Sequence, residues 1–151
     1  MSSTRISLLI KAPRPRVYAA LINADAIAKW KVPDGMRLVV HAFEAREGGR
    51  YRISLTYEEP GAAGKSSAHT DTYHGYFKAL ALNERVVEVM EFETSDPAMQ
   101  GKMTSTIELS DEHGGTRLVA RHEGVPPGVA PEDNEAGWRM SLAKLARLVQ
   151  D

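Results

Sequence analysis

The most polar strand-like stretch of the chain, His69-Thr70-Asp71-Thr72-Tyr73-His74-Gly75, places an imidazole, a carboxylate and a phenol at alternate positions. In an extended strand successive side chains point to opposite faces. His69, Asp71, Tyr73, Gly75 and Phe77 therefore share one face, and Thr70, Thr72, His74, Tyr76 and Lys78 share the other. Phe77 and Gly75 mark the first set as the inward one. Lined up along a sheet, these groups could orient a polar part of a ligand or relay a proton. The alternative, and the commoner case for such a segment, is a strand end hydrogen-bonded to its neighbours and to the loop at 60–67.

A second pair of candidates lies near the C-terminus. On a helix starting at Pro131, Glu135 sits about 60° and Asn134 about 40° from Trp138, on opposite sides. Both flank an apolar stripe made by Trp138, Leu142, Leu145 and Val149 at i, i+4, i+7 and i+11. A carboxylate beside such a stripe needs a hydrogen-bond partner or a raised pKa if buried, which is how a general acid or a ligand anchor behaves. In solvent it would only complement the helix dipole.

Trp30, Tyr51, Tyr73 and Trp138 are apolar bodies with a polar handle, suited to pocket walls or to a plain core. His122 shares a strand face with Leu118 and Ala120 and so points inward, as a core histidine or a reactive one. The five histidines show no metal-ligand spacing, and no phosphate-cradling glycine loop, serine nucleophile elbow or paired-carboxylate motif is present. The expectation is no metal and no cofactor.

The elements that must position these residues follow from periodicity. Ile6 to Ile10 reads as a half-buried strand, ended by Pro13 and Pro15. Val17, Tyr18, Leu21 and Ile22 give a short helix closed by Asn23, and a second runs from Asp25 as N-cap to Trp30. From Met36 the period changes to two. Strands are predicted over 36–43, 51–57, 70–80, 85–92, 102–109 and 116–124, punctuated by Gly-rich or Asn-containing turns, with loops at 60–67 and 93–101. Pro126-Pro127-Gly128 then breaks the sheet before the long helix 131–150. A single amphipathic helix after a run of strands must lay its stripe across the sheet, because neither surface hides its apolar face alone.

The bulk composition narrows the function classes. At 151 residues the chain is read as one domain, 1–151, large enough for a substantial core. Apolar residues are 42% and charged residues 26%, as in ordinary globular proteins, and the net charge of −1 argues against nucleic-acid binding. The absence of cysteine excludes a disulfide framework and a thiolate nucleophile. With no signal-peptide or membrane-span pattern, the expected setting is the cytoplasm, without membrane association. Apolar residues on both faces of 85–92 make a homodimer a possibility.

Specific residues sharpen the fold. Ala12-Pro13-Arg14-Pro15-Arg16-Val17-Tyr18 opens the first helix, Trp30 closes the second, and Gly48-Gly49-Arg50-Tyr51 forms the first hairpin. They are joined by Asn83-Glu84-Arg85-Val86-Val87, Gly114-Gly115-Thr116 and Glu135-Ala136-Gly137-Trp138. On these features the chain resembles the START-like, birch-pollen-allergen helix-grip superfamily (SRPBCC). Within it, the chain is similar to the branch related to the activator of the heat-shock chaperone ATPase, polyketide cyclase-like. The resemblance implies an α+β fold, a curved antiparallel sheet of about seven strands in the order β-α-α-β6-α, wrapped on the long C-terminal helix. It also implies a cavity between sheet and helix.

Three functions fit that expectation. The first is binding of a small hydrophobic or amphipathic molecule, with pocket candidates Trp30, Tyr51, His69, Asp71, Tyr73, His122, Asn134, Glu135 and Trp138. The second is a cyclase or hydrolase using Glu135, or His69 with Asp71, as acid and base. The third is a chaperone-partner module acting through an exposed sheet face, although 151 residues leave no room for the additional N-terminal domain of eukaryotic relatives.

Overall fold

The computed structural model describes residues 2–57 and 70–150. They run β1 (Ser2–Ile10), α1 (Arg14–Leu21), α2 (Ala24–Trp30), β2 (Met36–Phe43), β3 (Arg50–Tyr57), β4 (Thr70–Ala81), β5 (Arg85–Phe92), β6 (Met103–Glu112), β7 (Gly115–Val125) and α3 (Pro131–Gln150). The strands form one antiparallel sheet in the order β1-β7-β6-β5-β4-β3-β2. Register shifts between Val40 and Ala42 on β2 and between Phe77 and Ala79 on β4 add the local twist that bends a sheet. The curved sheet thus holds α3 in its concave face, as the helix-grip arrangement requires.

The period-two reading of the strands fixes which residues face that helix. Asp71, Tyr73 and Phe77 are buried on the concave side, while His74 and Tyr76 are exposed on the other. On β3 the inward residues are Tyr51 and Ile53, and on β5 they are Val86, Glu88 and Met90. The register carries one inward row across five strands: Phe77 opposite Glu88, Glu88 opposite Ser105, Ser105 opposite His122, and His122 opposite Thr4.

The predicted stripe of α3 divides along its length. Leu142, Leu145 and Val149 are buried against Ile6, Ile10 and Leu118 in the core, whereas Trp138 is only partly buried. A Leu-to-Ala truncation at such fully buried positions typically costs about 2–5 kcal/mol.

Several boundaries differ from the sequence reading for identifiable reasons. β1 starts at Ser2, because its backbone pairs with β7 out to Val125. Asn23 does not close the first helix as an isolated stop. Its side chain accepts a hydrogen bond from Ala26 N at 2.9 Å and caps α2, which leaves Asp25 in the first turn. The expected loop 93–101 contains a short 3-10 turn, Pro97–Met99, capped by Asp96. The other expected loop, 60–67, lies outside the described residues. Among the described residues no helix is long and apolar enough to cross a membrane.

Candidate functional site

The site begins with the end of α2. Trp30 is buried and donates from Nε1 to Ala20 O at 2.9 Å, which locks the last turn of α2 against α1. The following residue, Lys31, is then directed into the protein. Lys144 of α3 holds the turn that follows, bonding Val32 O at 2.5 Å and Asp34 Oδ1 at 2.8 Å. The Lys144 hydrogen bond, aided by its charge, keeps the Asp34 carboxyl below its ordinary pKa.

Inside, Lys31 Nζ stands 3.7 Å from Glu88 Oε1, and the two side chains are 8% and 6% exposed. The ammonium also lies 5.8 Å from the ring centres of both Tyr51 and Tyr73 and 5.4 Å from that of Trp138. Rings at this range attract a cation through their negative faces. Burial pushes the Lys31 pKa down, but the Glu88 carboxylate, with Tyr73, more than offsets it and holds the group above its ordinary value. Lys31 is therefore a charged donor at neutral pH, unsuited to Schiff-base or general-base work, which needs a depressed amine pKa.

Behind this pair lies a polar layer. Tyr51 Oη, Ser105 Oγ and His122 Nε2 are buried and make no hydrogen bond among the described residues. Burial, reinforced by the charge of Glu88, raises the Tyr51 phenol well above its usual range, and burial raises Tyr73 likewise. His122 Nδ1 meets Thr4 Oγ1 at 3.0 Å, and Asn134 Nδ2 donates to the same hydroxyl at 3.0 Å. The His122 ring stacks on Trp138 with centroids 4.3 Å apart. Burial, followed by the nearby Lys31 charge, lowers the His122 pKa to about 4, so the imidazole is neutral at pH 7.

In front of the pair is a cavity of about 470 Å³ between the sheet and the first turns of α3. Its apolar walls include Leu55, Tyr73, Met90, Phe92, Met103 and Trp138. Lys31, Asp71 and Asn134 add polar groups. Gly128 N donates to Ala98 O at 2.6 Å, tying the 93–101 loop to the segment before α3 along one side. A space of this size and lining matches the usual small-molecule pocket, which is mostly apolar with a few placed polar groups.

The expected pocket residues divide accordingly. Asp71, Tyr73, Asn134 and Trp138 line the cavity. Tyr51 and His122 are buried behind its wall, and Trp30 is a core residue whose indole N–H is used to fix α2. Glu135 is absent from the lining and pairs with Arg139 one turn on at 3.1 Å, which fits the solvent-side one of the two alternatives the sequence left open. His69 lies outside the described residues. His74, on the outer face, bonds Glu93 at 3.1 Å and Glu91 at 3.3 Å; hydrogen bonds from Arg52 and then His74 lower the Glu93 pKa to about 2.

Lys31 and Glu88 escaped the sequence reading. Glu88 did carry a signal, an acid in phase with Val86 and Met90 in a strand apolar on both faces, since such an acid is almost never buried without a partner. Lys31 carried none, because it follows the last helical turn and has no periodic context. Among the described residues no group of three His, Cys, Asp or Glu could hold a metal ion.

Comparison with known proteins agrees with this architecture. Protein CV1439 from Chromobacterium violaceum is 30% identical, with a TM-score of 0.89 over 99% of this chain and 97% of its own. An AHSA1-like protein from Aeromonas hydrophila is 18% identical, with a TM-score of 0.77 over 99% and 92%. DynU16, a protein of the dynemicin biosynthetic locus, superposes at TM-score 0.69 and 18% identity, over 99% of this chain and 48% of its own. The last two show the fold alone. No curated protein matches the chain. The model of the Activator of Hsp90 ATPase homolog 1-like protein family matches residues 11–150, and the chain belongs to that family.

Proposed function

We propose that the protein binds a small hydrophobic or amphipathic molecule between the sheet and the first turns of α3. The observation that carries this reading is the cavity of about 470 Å³, with aromatic and methionine walls and a buried ammonium at one side. Cavities of roughly 300–1,000 Å³ with such lining hold drug-sized ligands. A lack of cysteine fits work in the cytoplasm.

The test is calorimetric titration with naphthalene-sized apolar compounds, followed by Trp fluorescence. Trp138 lines the cavity while Trp30 is sealed in the core, so W138F should remove the ligand-dependent fluorescence change. Absence of binding by every compound of this size would reject the reading.

A second reading is an enzyme of cyclase or hydrolase type using the same space. It is favoured by Lys31, whose charge stands where it could stabilise an oxyanion developing on a bound carbonyl. Turnover abolished by K31M with binding of product retained would support it. The chaperone-partner reading draws on the family name and on no feature of the cavity; direct binding to the chaperone in a pull-down with purified components would test it.

A further inference from the structure

The Lys31 ammonium has geometry that its internal partners do not exhaust. Nζ stands 3.7 Å from Glu88 Oε1, so that carboxylate engages one side of the ammonium. An ammonium carries three N–H donors, and a ring face is attractive without accepting all of them. Two of the rings around Nζ, Tyr73 and Trp138, belong to the cavity wall, while Tyr51 and Glu88 lie behind it. The ammonium therefore stands at the boundary, with Glu88 on its far side and the cavity on its near side.

Charge balance then selects the ligand. Glu88 already neutralises Lys31, and the described residues that line the cavity add the acids Asp34, Asp71, Glu91 and Asp133 but no base other than Lys31. An anionic head group would enter a low-dielectric site whose described lining residues hold no uncompensated positive charge, and burying such a charge is costly. A neutral oxygen acceptor meets no such penalty and gains a charge-assisted hydrogen bond.

Resting on the cavity reading above, we infer that Lys31 anchors the neutral carbonyl oxygen of a ligand whose apolar, aromatic-compatible body lies between Tyr73, Met90, Phe92 and Trp138. The ligand class is thus uncharged ketones, esters or quinones in preference to free carboxylic acids. Asn134, on the first turns of α3, faces the same cavity but is engaged with Thr4, so it positions Trp138 and His122 and is not the primary anchor.

Three compounds with one body separate the possibilities: 2-acetylnaphthalene, 2-naphthoate and 2-ethylnaphthalene, each titrated calorimetrically at pH 7. The ketone should bind about tenfold or more tighter than the hydrocarbon, the increment of one charge-assisted hydrogen bond, and tighter than the carboxylate. In K31M/E88Q, which removes both charges and so leaves neither buried alone, the ketone should fall to the affinity of the hydrocarbon, which itself stays within about twofold. Equal binding of ketone and hydrocarbon by the natural protein, or a ketone preference that survives in the double variant, would overturn the anchor while leaving the cavity reading intact. Tightest binding of the carboxylate would overturn the charge argument. Failure of all three to bind would overturn the cavity reading and the anchor with it.

Discussion

Lys31 Nζ and Glu88 Oε1 face each other across 3.7 Å in an interior where neither side chain is as much as one-tenth exposed. Each charge is tolerable only because of the other. Removing one partner of such a pair strands a buried charge, whereas replacing both by apolar groups of similar volume is often neutral or stabilising. E88Q and K31M should each lower the unfolding free energy by about 3–5 kcal/mol in denaturant titration, and K31M/E88L should recover most of that loss. Additive losses in the double variant would show that the two side chains do not interact.

His122 supplies a pH dependence whose direction is fixed by its surroundings. It is fully buried, stacked on Trp138, bonded to Thr4 and within the field of Lys31, with Ser105 between it and Glu88. Its pKa is lowered from 6.5 to about 4 by burial and then by Lys31, so as pH falls through 6.5 the unfolded chain takes up a proton that the folded protein refuses. The stability this protects is present above about pH 6.5 and declines toward pH 4, by at most about 3.5 kcal/mol at ~1.4 kcal/mol per pKa unit. H122N removes the titration, so its unfolding free energy should fall less steeply between pH 6.5 and 4.5 than that of the natural protein. Glu93, lowered from 4.5 to about 2, loses its share as pH falls between those two values, below the window from pH 6.5 to 4.5. Parallel pH profiles for the two proteins would rule out a neutral buried His122.

The contrast between these two sites shows what a sequence can carry. The inward phase of β4, the burial of His122 and the stripe of α3 were all legible, because alternation and helical period are properties of neighbouring residues. Asp71 and Trp138 were placed on the cavity for that reason. The Lys31–Glu88 pair was not legible, since it joins residues 57 positions apart through the end of a helix and the middle of a sheet, and no local pattern encodes that meeting. Glu135 was legible only as two alternatives, since a 60° offset from Trp138 leaves room for either side of the helix, and in the structure it pairs with Arg139 one turn on.

Gly75 is where the sheet makes room for Tyr51. A methyl group there would lie 2.3 Å from Val89 O and 2.8 Å from Tyr51 Oη, so both a backbone and a buried phenol stand in its way. G75A should destabilise by about 1–3 kcal/mol, the usual range for overpacking. Combining it with Y51F removes only the phenol contact, so the double variant should remain less stable than Y51F alone. Full rescue in thermal unfolding would mean that the Val89 carbonyl yields freely.

Gly137 offers the opposite case on the other wall of the cavity. It lies within α3, and a methyl group added there meets nothing within 4 Å. Glycine in a helix interior is about 0.8–1 kcal/mol less favourable than alanine, so G137A should stabilise the protein by nearly that amount. Gly137 also lines the cavity beside Trp138, so a longer side chain at this position projects into the space assigned to the ligand. G137L should therefore keep the folding free energy at or above that of the natural protein while weakening a naphthalene-sized compound at least about tenfold, as filling a pocket separates stability from binding. Calorimetric affinities measured beside denaturant curves give both quantities on the same samples. Undiminished affinity in a stably folded G137L would place the bound molecule away from α3 and refute the site between that helix and the sheet.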